Sequence, residues 1–488
     1  MDISTISDYF CVMKNGKSDH LYLQVANNIE GMIEQDVLKI GDKLPSVRIL
    51  SEEQGISMST AFQAYYHLEN KGLIEPRPKS GYYVRFSPKS FPDLPTCCEP
   101  IKKIKHSSVG EIITEVFRDF DTESQLNFAV AVPPLELLPV AKLNKSLMYA
   151  MRNTNGSGLN YESIQGNLNL RNQIARMSLL WGGKITGDDV ITTTGCMDAI
   201  TLCLNAVTKP GDTIAVESPS YHGILQLAES FSLKVLELPT NPVYGVELDY
   251  LKKALKQYKI KALVLIPNFH NPLGSCMPEE NKMELVKLLT SENIPLIEDD
   301  IYGEMHFGKS RPKTCKTCDE SGMVLYCSSF SKSLAPGYRV GWTIPGNFKE
   351  KILQLKLNHT ISSSTLPQAA IGHFLEHGRY EHHLRSLRKT LHTQCLRYVQ
   401  AIKEYFPEGT RLSRPQGGFV LWLELDRNIN TIDLFQLALK HHINISPGRM
   451  YTLQDRYYNC LRLTFAQPWS EKVEKGIKKL GELVKGMK

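Results

Sequence analysis

Apolar residues near the start of the chain recur at helical spacing. Over residues 21–38, Leu21, Val25, Ile29, Met32, Ile33 and Val37 fall on one face, which predicts an amphipathic helix. The stretch Gly41-Asp-Lys-Leu-Pro45 breaks the chain, Ser46 can cap a short helix carrying Val47, Ile49 and Leu50, and Gly55-Ile-Ser57 makes a tight turn. A further helix from Met58 to Asn70 turns Ala61, Ala64, Tyr65 and Leu68 inward. Helix, Gly-containing turn, helix is the helix-turn-helix order, in which the second helix lies in a DNA major groove. Residues 73–84 then read as two short strands around a basic loop tipped by Gly81, a wing.

Residues 86–110 are rich in Pro, Ser and Lys and show no periodicity, so they read as a linker stiffened by proline. Beyond it the pattern changes. Apolar runs at 190–194, 213–217, 234–238, 262–267, 295–298, 324–327 and 340–344 alternate with segments long enough for helices, such as 197–207, 223–231 and 279–292. Alternation of this kind predicts an α/β domain with a mostly parallel seven-stranded sheet covered on both faces, with ligands bound beyond the carboxyl ends of its strands. The expected division is a winged domain over 17–86, a linker over 87–122 and an α/β domain over 123–488.

Composition adds bounds. The 488 residues are 42% hydrophobic and 22% charged, values of a soluble globular chain too long for one ordinary domain. No apolar run approaches the roughly 18 residues a membrane span needs, and the first residues lack a signal-peptide core, so a cytoplasmic protein is expected. Eleven scattered cysteines then imply reduced thiols. Cys315-Lys-Thr-Cys318 has no second pair and no neighbouring His, so it reads as a surface loop, and no metal site is expected. A formal charge of +6 is too mild to imply nucleic-acid binding by itself. Local pattern changes that picture: Arg77, Lys79, Arg85, Lys89, Lys102, Lys103 and Lys105 face only Asp93 and Glu99 in the wing and the segment behind it.

Five strand ends carry candidate chemistry. Gly195, Cys196 and Met197 open a helix and can turn backbone N–H groups toward an anion. Tyr221 offers a ring to stack on a flat heterocycle, and Asn271 places an amide at a sharp turn. In Glu298-Asp-Asp300, one carboxylate could keep a pyridine nitrogen protonated while Tyr302 bonds a phenolate oxygen. Last comes Lys332, set between the hydroxyls of Ser329 and Ser331 and the guanidinium of Arg339. Burial and a nearby cation lower a lysine's pKa and free its amine for an aldehyde, while hydroxyls and a planar fork suit a phosphate. A solvated Ser-rich loop, a core tyrosine and an ordinary Asn-Pro turn are the bland readings taken singly. In this order they are the parts of pyridoxal-phosphate chemistry.

Through LPSVR, the Ser57–Thr60 start of the second helix and PKSGYYV, the N-terminal part resembles the GntR family of winged-helix regulators. The resemblance implies DNA contacts by Arg48, Ser59, Thr60, Lys79, Ser80 and Gly81, although Met58 stands where many relatives carry Arg. From about residue 125 the chain resembles a fold-type I aminotransferase. That resemblance implies Lys332 as the Schiff-base lysine, Asp299 on the pyridinium, Tyr302 and Asn271 on the ring oxygen and Tyr221 stacking. Gly195, Cys196, Met197, Ser329, Ser331 and Arg339 would hold the phosphate. Tyr161, in Tyr-Glu-Ser-Ile-Gln-Gly166, resembles the tyrosine that reaches the partner subunit's phosphate, which implies a homodimer. Arg462, in Asn459-Cys-Leu-Arg-Leu-Thr-Phe465, resembles the arginine that clamps the substrate carboxylate. Winged helix, linker and aminotransferase-like domain together are similar to the MocR subgroup, which implies a transcriptional regulator sensing an amino compound or the cofactor. The alternatives are an active aminotransferase with an accessory winged domain, and a regulator that has lost the cofactor and takes apolar ligands.

Overall fold

In a computed structural model, which describes residues 21–77, 80–87, 92–100, 110–118 and 126–487, the N-terminal helices form as their apolar spacing requires. Helix α1 (Leu21–Glu34) buries Val25, Ala26, Ile29 and Ile33. It stops short of residue 38 because Asp36 takes a left-handed conformation (φ 58°), which Asp tolerates. Val37 therefore lies beyond the helix and is exposed, as is Leu21 at its first turn. Helix α2 (Val47–Gln54) is capped by Ser46, whose Oγ accepts from the Ile49 N–H at 3.2 Å, and ends at Gly55 with φ 61°. Only Leu50 of its three apolar residues is fully buried, and Ile49 is exposed. Helix α3 (Met58–Asn70) starts at Ser57, whose Oγ accepts from the Thr60 N–H at 3.0 Å, and turns Ala61, Ala64, Tyr65 and Leu68 inward. The buried Tyr65 hydroxyl donates to the Pro45 carbonyl at 2.7 Å, tying α3 to the turn before α2.

Strands β1 (Ile74–Arg77) and β2 (Gly81–Val84) pair antiparallel as the wing. The turn between them needs the positive φ (106°) of Gly81. Tyr82 of β2 packs on Tyr65 at 4.8 Å between ring centroids and accepts from the Leu44 N–H at 2.8 Å, so the wing and α3 share one core.

The chain falls into two compact units, one of residues up to Pro92 with Leu396–Glu404, the other of Asp93–Cys395 with Tyr405–Lys488. In the second, helix α4 (Gly110–Arg118) stands inside the range expected as linker, burying Ile113 and Val116. The sheet that follows comprises β3 (Ile191–Thr193), β4 (Thr213–Ser218), β5 (Lys234–Asn241), β6 (Gly245–Val246), β7 (Ile260–Leu265), β8 (Leu296–Asp299), β9 (Val324–Ser329) and β10 (Gly341–Ile344), in the order β3-β10-β9-β8-β7-β4-β5-β6. Seven of these are the expected strands. The eighth, β6, is a two-residue edge pairing too short to leave a pattern.

Pairs β9–β8, β8–β7, β7–β4 and β4–β5 are parallel, and β10 runs antiparallel to both β9 and β3. The short link 330–340 cannot make the crossover that a parallel neighbour requires, so β10 returns directly beside β9. Helices α5 (Cys196–Val207) and α6 (His222–Ser230) follow β3 and β4. A second sheet, β11 (Arg411–Leu412), β12 (Val420–Glu424), β13 (Ser446–Pro447) and β14 (Cys460–Thr464), has the order β11-β12-β14-β13 and carries Arg462 on β14. Cys315, expected on the surface, is fully buried: the carboxylate of Glu298 accepts from the Cys315 and Lys316 N–H groups at 2.7 and 2.9 Å and pulls that segment onto the sheet.

Ser57→Ala removes the cap of α3 and should lower its opening free energy by about 1 kcal/mol. Faster amide hydrogen exchange over residues 60–68 of the full-length protein is the expected readout, and unchanged exchange would refute the role of the cap.

Candidate functional site

The carboxyl ends of β3, β4, β7, β8 and β9 open on a cavity of about 260 Å³ in the second unit. Cys196, Met197, Tyr221, Asn271, Asp299, Tyr302, Ser331, Lys332, Arg339 and Arg462 all line it.

At one end β3 gives way to α5 through Gly195 (φ 87°). A side chain there would collide with the Arg339 guanidinium, and one at Gly341 would meet the Gly195 backbone. The two glycines thus let β10, β3 and the start of α5 approach closely. Arg339, itself left-handed (φ 52°), donates to Ser331 Oγ at 3.2 Å and to the Thr194 carbonyl at 3.3 Å, which lays its guanidinium beside the helix start. The first-turn N–H groups of α5 have no intrahelical acceptors. A guanidinium, a hydroxyl and a helix N-terminus together can hold a dianion.

At the end of β8 the two-residue period of a strand separates three adjacent carboxylates. Asp299 turns into the cavity, accepting from the Ile301 N–H at 3.1 Å and the Cys196 thiol at 3.3 Å, and burial raises its pKa to about 6. Glu298 and Asp300 turn to the other face. Asp300 meets Arg311, accepts from Tyr326 Oη at 2.8 Å and accepts from Asn268 Nδ2 at 2.8 Å.

Lys332 is half-buried, and its Nζ donates to the Ala131 carbonyl at 2.6 Å. Burial lowers its pKa to about 8, and Arg462 and Arg339 push the same way while Asp299 opposes them. Tyr302 is buried with its hydroxyl 3.5 Å from Asn271 Nδ2, and burial pushes the phenol well above its ordinary value. Asn271 Oδ1 in turn accepts from Arg462 Nη1 at 3.0 Å, while Arg462 Nη2 bonds the Ala129 carbonyl. The remaining guanidinium nitrogen, Nε, is buried with no partner among the described residues. Tyr221 is half-buried at the wall, its phenol pushed up to about 12 by burial.

Three expected residues are placed elsewhere. Gly195 lies at the cavity's end without lining it, Ser329 sits beneath the loop and accepts from the Ser331 N–H at 3.3 Å, and Tyr161 is 84% exposed, away from this chain's own cavity. Seven lining residues carried no expectation, Phe117 and His222 among them. Phe117 comes from α4, where the apolar spacing of Ile113, Val116 and Phe117 was the available signal. His222 follows Tyr221, with ring centroids 4.6 Å apart; burial, then Arg462, pull its pKa down to about 3, and Nδ1 has no partner among the described residues.

In the first unit Arg48 is exposed and paired with Glu52 at 2.9 Å. Ser59 and Thr60 hydroxyls cluster with Ser57 Oγ at 2.7 and 2.8 Å at the start of α3. Ser80 Oγ lies 2.6 Å from Tyr83 Oη next to Gly81 in the wing, and Arg77 covers the Tyr83 ring at 4.2 Å. Lys79 lies outside the described residues.

The aminotransferase class I and II family model matches residues 123–480, and the model of bacterial regulatory proteins, gntR family, matches residues 21–84. The chain is 37% identical over 465 residues, 95% of its length and 98% of the relative's, to an uncharacterized HTH-type transcriptional regulator of Escherichia coli (strain K12), YjiR. It is 28% identical over 380 residues, 76% of this chain and 91% of the other, to aromatic-amino-acid aminotransferase 1 of Thermococcus litoralis. The crystal structure of Pyrococcus horikoshii kynurenine aminotransferase superposes with a TM-score of 0.72 at 26% identity, covering 79% of this chain and 95% of that one.

With a pKa of about 8, Lys332 is charged below that pH and neutral above it. Its condensation with a small aldehyde, trapped by borohydride and read by mass spectrometry, should quicken about tenfold per pH unit up to about 8 and then level. Arg462→Met removes a neighbouring cation and should move the inflection upward; a wild-type inflection at the ordinary lysine value would refute the described environment.

Proposed function

We propose, for a chain that belongs to the aminotransferase class I and II family and carries a gntR-family domain at its N-terminus, a DNA-binding transcriptional regulator that senses an amino compound through pyridoxal phosphate. The observation that supports it is the presence in one chain of a capped helix-turn-helix with its wing and of a cavity on which the strand-end residues converge.

The donor set fits the cofactor. One amine of lowered pKa, one cavity-facing carboxylate, an amide beside a phenol, and a guanidinium with a hydroxyl at a helix N-terminus match the groups of a phosphorylated hydroxypyridine aldehyde. When bound, pyridoxal phosphate supplies an aldehyde and a ring that can take up electrons. In this proposal Lys332 is the amine that meets the aldehyde, and Asp299, ionised above about pH 6, holds the ring nitrogen's proton. Asn271 and Tyr302 hold the ring oxygen, and Tyr221 stacks on the ring. Cys196, Met197, Ser331 and Arg339 surround the phosphate, with Gly195 at the turn into the helix and Ser329 supporting the loop that carries Ser331. Arg462 keeps an unpartnered buried Nε for an effector's carboxylate, a group whose desolvation is otherwise uncompensated.

Tyr161, exposed in one chain, would complete the site of a partner subunit in a homodimer. Two winged domains would then read two half-sites, with Arg48, Ser59, Thr60, Lys79, Ser80 and Gly81 at the DNA, in the cytoplasm. Among the described residues no helix is long and apolar enough to cross a membrane. An amino compound controls such a protein by binding one conformational state better than another. An active aminotransferase is the second reading, favoured by the side chains for half-transamination all meeting at one cavity.

Protein reconstituted with pyridoxal phosphate should absorb in the visible, and Lys332→Ala should not. A colourless wild-type protein would sink the cofactor assignment. Footprinting on DNA upstream of its own coding sequence, alongside incubation with amino acids and a keto acid, separates the two readings: protection with slow or no turnover is expected, whereas fast turnover without protection would establish the enzyme.

A further inference from the structure

The DNA-contacting helix of a major-groove reader ordinarily distinguishes G·C pairs with Arg or Lys, whose donors match guanine O6 and N7. Helix α3, Met58–Asn70, contains neither residue. The nearest arginine on the preceding helix, Arg48, is paired with Glu52. The face of α3 flanking its buried Ala61, Ala64, Tyr65 and Leu68 instead carries Met58, Phe62 and Tyr66, one turn apart and each 52% exposed. The rings of Phe62 and Tyr66 stack with centroids 6.5 Å apart and planes at 13°, so each limits the other's rotation. Gln63 is exposed beside them.

An apolar stripe on the water side of a helix is unfavourable unless a partner covers it. Its surroundings are those of a nucleic-acid face. Ser59 and Thr60 hydroxyls cluster at the start of the helix, next to Met58, where first-turn N–H groups suit a phosphate. The wing, packed on α3 through Tyr82 and Tyr65, presents Arg77 over the Tyr83 ring. In the major groove only thymine presents a methyl group, and the amide of Gln pairs with adenine N6 and N7. Both partners belong to the same base pair.

We infer that α3 reads A·T pairs, Met58 and Phe62 packing on thymine methyl groups, Gln63 bonding adenine, and Tyr66 acting as the positioning residue that holds the Phe62 ring. This specificity rests on the DNA-binding reading above and deepens it. Backbone contacts supply affinity without sequence preference, so the two can fail separately.

The full-length protein, loaded with pyridoxal phosphate, is used to select duplexes from a random-sequence library, and the selected duplexes are resynthesised with deoxyuridine in place of thymidine. The expected result is an A·T core in each half-site, with binding weakened about fourfold for each contacted methyl removed, the value of one buried methylene. Phe62→Ala, an exposed substitution whose folding is checked by thermal melting, should bind thymine and uracil duplexes more nearly alike while keeping the wild-type salt dependence. A G·C core, or equal binding of thymine and uracil duplexes by wild type, would overturn the inference and leave DNA binding intact. So would a change in self-association by Phe62→Ala with the thymine-to-uracil ratio unchanged, since the stripe would then be a protein interface. Failure to select any duplex would overturn the regulator itself and the inference with it.

Discussion

The two-residue period of β8 is the constraint on which the cavity depends. It sends Asp299 one way and Glu298 and Asp300 the other, so a run of three acids that would repel one another is divided between two environments. Behind the sheet, Asp300 is neutralised by Arg311 and two hydrogen-bond donors, and Glu298 organises the backbone at Cys315. In front, a single carboxylate shares the cavity with Lys332, Arg339 and Arg462. That imbalance leaves the cavity short of negative charge. A phosphate and an effector carboxylate are the groups that would restore it; the lysine pKa is lowered first by burial, and the two guanidiniums push it the same way.

Much of this was legible in the chain because each element announces itself locally. The apolar runs at 190–194, 262–267 and 295–298 predict strands with Gly195, Asn271 and Asp299 a few residues beyond them, and the sheet then gathers those ends on one side. The choice between Asp299 and Asp300 is where local reading weakens, since both lie at the strand end and only register decides which one faces the cavity. Long-range pairings are less visible still. That Arg462 is held by Asn271 and by the Ala129 carbonyl depends on a second sheet docking against the first, and no spacing encodes it. The helix carrying Phe117 was hidden by the Pro- and Ser-rich residues before it. In the winged domain the inward face of α3 was correct at every position, whereas α1 ended early and Ile49 proved exposed, because caps and short helices override periodicity.

The two units impose different chemistry on the same kind of device. At the start of α5 a helix N-terminus is flanked by a guanidinium and a hydroxyl at the end of a cavity, which suits a small dianion. At the start of α3 a helix N-terminus is flanked by hydroxyls and open to solvent, which suits a phosphate that is one of many along a polymer. The first arrangement selects by shape and charge density, the second by repetition.

Gly195 and Gly341 carry a consequence of another kind. The cup at the end of β3 is defined by the absence of two side chains, and even a methyl group at either position would drive strand or guanidinium out of place. The two positions differ in what they exclude: at Gly195 a side chain would meet the guanidinium, at Gly341 it would meet backbone. What the cup requires at these two positions is the lack of a side chain, so it is built from backbone approach rather than from any group a side chain supplies.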